Sequence, residues 1–291
     1  MLTTVRYLTA KMPVKPDKKS SDGVGMYTFG TVGTIKSSAK YHFEAPRQGV
    51  YASTGAFLLW SDPLYSAAAA DLQGFDRIWL IWVFNQNKHD SWRVKARVPV
   101  PAEQDCYSVF ATRSPYRPNP IGISAVELLE ICPDGLKLGA CDLLDGTAVL
   151  DVKPYIPEVD SFPASRAGWR DRIDQHSWEI TWSSAAWLQA EFILHNGGLD
   201  LMNFAHVQLK FRPTDRSRKR VEFDDSANCW VIHCRTWKLF FTLNEAADRV
   251  CVERIAGNYS AAELAPDAPD KYNDKALHRK FRQLFPAGEE Y

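Results

Sequence analysis

Residues 113–124 read Arg-Ser-Pro-Tyr-Arg-Pro-Asn-Pro-Ile-Gly-Ile-Ser and follow the apolar run Val109-Phe110-Ala111. Each proline fixes φ and biases the residue before it away from the helical region. The stretch is therefore stiff and non-helical, and it presents Arg113, Arg117 and Asn119 in set directions. Rigid loops that carry guanidinium forks suit an anionic or planar ligand. A plain proline-rich turn between two strands accounts for the same spacing equally well, and on these residues alone both readings stay open.

Downstream, residues 142–160 read Asp-Leu-Leu-Asp-Gly-Thr-Ala-Val-Leu-Asp-Val-Lys-Pro-Tyr-Ile-Pro-Glu-Val-Asp. Asp145-Gly146 is a turn signal between two apolar runs. Asp151 and Lys153 lie two apart and share a face if they sit on a strand. Alternation is normal for a half-buried strand, but ending one in Lys-Pro-Tyr-Ile-Pro is unusual. Strands are predicted over 27–36, 55–60, 76–84, 106–112, 123–131, 135–142 and 147–153, with a short helix after Asp62-Pro63 to Leu72. Many short strands between turn signals indicate a mainly β fold, a barrel or a sandwich. No glycine-rich strand–helix fingerprint is present, which argues against a Rossmann-type fold.

The second half reads differently. Residues 161–176 are polar and read as a linker. Ser183-Ser184 cap a helix running to His195, closed by Asn196-Gly197-Gly198. A second helix is predicted over 200–210 and strands over 229–234, 237–243 and 249–255. The expected organisation is an extension over 1–25 without fixed structure, a β domain over 26–165 and a smaller α+β domain over 177–260. A tail over 261–291 is expected to carry a basic helix, Asp274 to Phe285.

At 291 residues the chain is long enough for one or two domains. Its 35 basic residues balance 35 acidic ones, which argues against a general nucleic-acid coat protein but leaves room for a local basic patch. Five Lys or Arg against one Asp between Arg212 and Arg220 form such a run; phosphate contact and a solvated loop are both open. No apolar run is long enough to span a bilayer. The six cysteines form no Cys-x-x-Cys pair, which fits a reducing, cytoplasmic setting, and the seven histidines show no ligand spacing, so no metal is expected. The basic, hydroxyl-rich first residues leave an organellar transit peptide open as an alternative.

The proline loop paired with Asp-Leu-Leu-Asp-Gly-Thr and Asp-Val-Lys-Pro-Tyr-Ile-Pro closely resembles the TrmO family of S-adenosylmethionine-dependent tRNA methyltransferases. Ala-Pro-Arg-Gln at 45–48 and Phe-Asp-Arg-Ile-Trp-Leu-Ile-Trp-Val-Phe-Asn-Gln at 75–86 add two further matches in the same order. The resemblance is strong over 27–165 and weak over 185–258. It implies a β-barrel catalytic domain, a homodimer, and methylation of N6 of threonylcarbamoyladenosine, the modified purine immediately 3′ of the anticodon. It also implies that Pro46, Arg47, Gln48, Asn85, Gln86, Arg113, Ile123, Asp145, Gly146, Thr147 and Ala148 line the cofactor pocket. At Asn85 the sequence departs from the family, which often has histidine there. Asparagine still forms hydrogen bonds but cannot titrate, which puts an acid or base role at that position in doubt.

Methyl transfer from a sulfonium needs the acceptor nitrogen aligned and its proton removed. Asp151, Lys153 and Tyr155 are the candidates for catalysis, with a strand-edge ion pair as the alternative for the first two. Tyr116, Arg117, Asn119 and Asp160 are candidates for contact with the anticodon arm, since exposed aromatics next to prolines suit unstacked RNA bases. A non-catalytic RNA-binding barrel and a small-molecule-binding barrel are the competing readings. Cofactor binding separates the first from methyltransferase activity, and tRNA binding separates the second.

Overall fold

The computed structural model describes residues 27–286 apart from 47, 53, 88–91, 99–105, 174–175, 218 and 266. The extension over 1–25, Arg47 and Arg218 lie outside the described residues. The fold is mainly β.

Six antiparallel strands close into a barrel in the order β1-β2-β7-β6-β3-β8. They are β1 (Gly33–Lys36), β2 (Ala56–Trp60), β3 (Arg77–Val83), β6 (Ile121–Cys132), β7 (Gly135–Leu138) and β8 (Ala148–Pro154). In β3 the two-residue period turns Ile78, Leu80 and Trp82 inward. They meet Ile35, Leu58, Val126, Leu136, Leu138, Leu143 and Val149 in one core. Fully burying each aliphatic side chain contributes about 1.5–3 kcal/mol. β6 is long enough to pair with β3 through its first half and with β7 through its second, with an irregularity between Leu128 and Glu130. Closure abolishes free sheet edges.

Trp82 stands directly opposite Gly122. A Cβ at Gly122 would lie 2.4 Å from the Trp82 ring. The missing side chain is what lets the indole cross to β6, where its Nε1 donates to the Ser124 hydroxyl at 3.1 Å.

Between β2 and β3 lies α1 (Leu64–Ala68), followed by a 3₁₀ turn, with the Asp62 carboxylate accepting from the Leu64 amide at 2.9 Å. A short ribbon of β4 (Lys95–Arg97) and β5 (Cys106–Ser108) precedes the proline loop. The strand predicted over 106–112 therefore stops early. Its second half, Val109–Ala111, is a 3₁₀ turn that leads into Arg113. After β8 comes the single turn α2 (Pro157–Asp160). The predicted linker contains a 3₁₀ turn at Gly168–Arg172. Its Trp169 stacks on Tyr107 and donates to the Ala111 carbonyl at 2.8 Å.

The second unit is a five-stranded sheet in the order β10-β11-β12-β13-β9. Its strands are β9 (Glu179–Trp182), β10 (Val221–Asp224), β11 (Cys229–Cys234), β12 (Trp237–Asn244) and β13 (Arg249–Gly257). β9 joins β13 in parallel while the other pairs are antiparallel. Helices α3 (Ser184–Gly197) and α4 (Leu201–Leu209) supply its second layer. Ser183 and Asp200 cap them by accepting from the Ala186 and Asn203 amides, and Gly198, at φ 64°, ends α3.

The basic helix placed in a tail by sequence is α5 (Lys275–Leu284), and it belongs to this unit. Phe281 and His278 are buried, and the His278 ring stacks on Trp237 with centroids 3.7 Å apart. Chain order sets this helix apart from the sheet, and it is the tertiary contact with Trp237 that assigns it to this unit. No described helix is long and apolar enough to cross a membrane.

Candidate cofactor and substrate site

Four segments far apart in sequence meet at one end of the barrel, and side-chain hydrogen bonds join them in pairs. The Arg113 Nη1 donates to the Gln48 Oε1 at 2.6 Å, linking the proline loop to the Pro46–Gln48 segment. The Asn85 Nδ2 donates to the Gly146 carbonyl at 2.9 Å and the Gln86 Nε2 to the Asp145 carbonyl at 3.2 Å. These link the end of β3 to the Asp-Gly-Thr turn. The turn is fixed to β1 as well: the Gly146 amide donates to the Ile35 carbonyl at 2.8 Å, and the Asp145 Oδ1 accepts from the Ser37 amide at 3.2 Å. Gly146 has a φ of 79° and open space beside it, so backbone conformation requires the glycine there. Thr147 is buried with its hydroxyl on the Leu144 carbonyl, Ala148 opens β8 opposite Thr34, and Pro46 is buried.

Asp142 belongs to this site and was not singled out from sequence. Its Oδ1 accepts from the Ser124 hydroxyl at 2.8 Å, extending the relay from Trp82. Its carboxylate also accepts from the Gly49 backbone, which ties the Pro46–Gln48 segment to the barrel. Burial pushes the Asp142 carboxyl above the usual range, against the opposing effects of Ser124 and of the Arg113 charge. The signal available in sequence was an acid and a serine embedded in otherwise apolar strand-like runs, where a polar group implies a partner.

Ile123 alternates with Ser124 on β6, so its side chain lies on the other face of the strand and is 50% exposed. Val50 (78%) and Phe110 (77%), on the neighbouring segments, are also solvent-facing.

The candidates for acceptor contact are more dispersed. The Lys153 Nζ sits 2.7 Å from the Asp151 Oδ2 on the exposed side of β8, so the two form an ion pair. Tyr155 packs against Trp79 with ring centroids 5.4 Å apart. Asp160 is held in a structural role, its Oδ2 accepting from the Trp79 Nε1 at 3.0 Å and the Ile156 amide at 2.8 Å. That closes the turn after β8. Arg117 folds back on its own loop through the Thr112 carbonyl at 3.2 Å. Tyr116 is exposed beneath the Arg93 guanidinium, and Asn119 is exposed.

The basic run at 212–220 is not uniformly free for phosphates. Lys219 donates through Nζ to the carbonyls of Gln208, Phe211 and Arg212, closing the C-terminal end of α4. Arg216 lies over the Trp230 ring.

The sequence model described as the tRNA-methyltransferase O N-terminal domain matches residues 34–161, the segment that builds the barrel and the site. An S-adenosyl-L-methionine-binding protein of Archaeoglobus fulgidus is 36% identical over 129 residues, which are 44% of this chain and 89% of that protein. The chain belongs to the TrmO family. The tRNA (adenine(37)-N6)-methyltransferase of Escherichia coli K12 is 41% identical over 149 residues, 49% of this chain; the match spans 63% of that enzyme's length. The crystal structure of TrmO from Pseudomonas aeruginosa superimposes with a TM-score of 0.57 at 26% identity, covering 80% of this chain and all of the other.

Proposed function

We propose that this chain is an S-adenosylmethionine-dependent tRNA methyltransferase acting on N6 of threonylcarbamoyladenosine, the modified base beside the anticodon at the position 37 named for the E. coli relative. The observation that carries the reading is the convergence of four separated motifs on one barrel rim, joined through Arg113–Gln48, Asn85–Gly146 and Ser124–Asp142. Its donor set suits that cofactor. A guanidinium matches the methionyl carboxylate, and a partly buried carboxylate suits a group carrying an ammonium and a sulfonium.

S-adenosylmethionine supplies an electrophilic methyl group when bound. The remaining work falls to the chain's own residues. Arg113, anchored by one N–H on Gln48, directs its remaining donors toward the ligand carboxylate. Asn85 and Gln86 hold the Asp145–Ala148 turn by its carbonyls, so that backbone without a Cβ at Gly146 faces the ligand. Holding acceptor and donor in line is worth up to ~7–11 kcal/mol of the barrier.

On the acceptor side, the threonyl carboxylate competes with Asp151 for Lys153. Once released from its 2.7 Å ion pair, the Asp151 carboxylate is free to accept the N6 proton. Tyr155 packs beside this strand, and Tyr116, Arg117 and Asn119 face the anticodon arm from the proline loop. Plain adenosine brings no carboxylate, so Asp151 stays paired and transfer is slow. The experiment is a methylation assay on one tRNA with and without the threonylcarbamoyl group. The expected preference is roughly tenfold or more, and it should vanish in Lys153→Ala. Equal rates on both tRNAs overturn the substrate assignment.

In this reading the assembly is a homodimer, with a second copy covering the exposed Val50, Phe110 and Ile123. Light scattering that gives a monomer at micromolar concentration overturns that part.

A further inference from the structure

The segment between β1 and β2, residues 37–55, is far longer than a hairpin loop needs, and among its described residues the only regular structure is a 3₁₀ turn at Gly49–Tyr51. Loops of that length need an external anchor to stay in one conformation. Here the anchor is the second unit. Phe43 packs against that unit's core, and its carbonyl accepts from the Gln208 Nε2 at 2.8 Å. The Glu44 carbonyl accepts from the Nδ2 of buried Asn203 at 3.3 Å. Tyr51 meets Phe211 edge to face.

At the centre is one buried ion pair. The Arg235 Nε donates to the Glu44 Oε1 at 2.5 Å, and its Nη2 donates to Oε2 at 2.8 Å. Both side chains are nearly excluded from solvent, at 9% and 5% exposure. Glu44 also gathers its own loop, accepting through Oε2 from the Lys40 and Tyr41 amides. The Arg235 guanidinium lies 4.7 Å above the Tyr41 ring. Arg235 itself sits in the β11–β12 turn at φ 52°, a strained conformation for a side-chain-bearing residue. That turn is braced by its neighbour Thr236, which donates to the Asp274 Oδ2 at 2.6 Å and contacts the His278 Nε2 at 2.8 Å. A strained residue held by a two-pronged buried contact is over-determined, as positioning elements are.

Glu44 is two residues from Pro46 and four from Gln48, whose amide oxygen holds Arg113. We infer that Glu44 and Arg235 are positioning residues for cofactor binding: through their forked ion pair the second unit sets the conformation of the loop that orients Arg113. This inference rests on the reading above that Pro46–Gln48 and Arg113 line the S-adenosylmethionine site. It makes the second unit part of the cofactor machinery, whatever it contributes to tRNA.

The test uses the full chain. Glu44→Gln keeps the shape but removes the charge-assisted fork. Arg235→Lys keeps the charge but cannot fork. Calorimetry with S-adenosylmethionine should show a Kd raised roughly 10- to 100-fold in Glu44→Gln and a smaller rise in Arg235→Lys. Steady-state assays should show a raised KM for S-adenosylmethionine, with kcat at saturating cofactor largely kept. A merely structural loss would lower active-enzyme concentration and hence kcat. Arg249→Ala, which breaks the exposed Arg249–Glu179 pair in the same unit, should leave the Kd unchanged. Folded Glu44→Gln with wild-type affinity overturns the inference; if that variant does not fold, Arg235→Lys is judged by the same criterion. Arg113→Ala separates the two levels. If it loses affinity while the Glu44 and Arg235 variants do not, only the positioning role fails. If it too keeps wild-type affinity, the site reading fails.

Discussion

The barrel and the C-terminal sheet bury polar groups for opposite ends. In the barrel the relay Trp82–Ser124–Asp142 leads to the rim where four motifs meet, and its terminal carboxyl is held in an environment that disfavours its charge. In the second unit, Thr236, His278 and Asp274 form a network that fastens α5 to the β11–β12 turn. Burial raises the Asp274 carboxyl, but hydrogen bonds involving His278, Thr236 and Tyr259 outweigh it, and the net shift is downward. One region carries unfavourable electrostatics at a place suited to a ligand. The other surrounds its buried carboxylate with donors from His278, Thr236 and Tyr259, although the buried His278 Nδ1 has no hydrogen-bond partner among the described residues. Unfavourable electrostatics beside a cluster of donors point to a site, and satisfied electrostatics point to architecture.

The largest expected effect tests the architectural side. Trp237 is fully buried between His278 and Phe281, so Trp237→Ala should destabilise the chain by about 3–5 kcal/mol in denaturant titrations. A loss below 1 kcal/mol would mean that α5 does not depend on this stack.

Arg113→Ala probes the other side. It should weaken S-adenosylmethionine binding by about 1.5–3 kcal/mol while leaving stability within about 0.5 kcal/mol, since the side chain is exposed and its known partner is an amide. A stability loss comparable to the binding loss would erase the contrast between the regions.

The smallest effects are in pH dependence, and they have opposite signs. Asp274 has a lowered folded-state pKa, so its contribution is present above the unfolded value of 3.8 and is lost as pH falls below it. Asp142 has a raised one, so the folded state takes up a proton before the unfolded chain does. Stability falls as pH climbs from 3.8 through the raised value. Thermal midpoints at neutral pH should therefore rise in Asp142→Asn and fall in Asp274→Asn. Shifts of the same sign would show that the two carboxyls are not in contrasting environments. Asp142→Asn should also bind cofactor more weakly, the usual exchange of stability for function.

Much of the barrel was legible because its signals are local. A two-residue period marked Ile78, Leu80 and Trp82, the Asp145-Gly146 turn announced itself, and the motif order pointed to the family. Cap residues did the same for α3. Sequence alone could not decide which segments pair across large separations. β9 contributes four residues that make sense only beside β13, and β10 only beside β11. Leu277, Phe281 and Phe285 recur every four residues and mark α5 as amphipathic, but nothing local says that this apolar face docks on Trp237. The site divides along the same line. Arg113, Asn85 and the Asp-Gly-Thr turn were visible as residue types in a motif. The engagement of Asp151 with Lys153, the structural use of Asp160 and Lys219, and the entry of Asp142 and Glu44 were fixed by tertiary contacts. Glu44 meets Arg235 across 191 residues. A carboxylate's role depends on which donor the fold brings within 3 Å, and chain order carries no record of that distance.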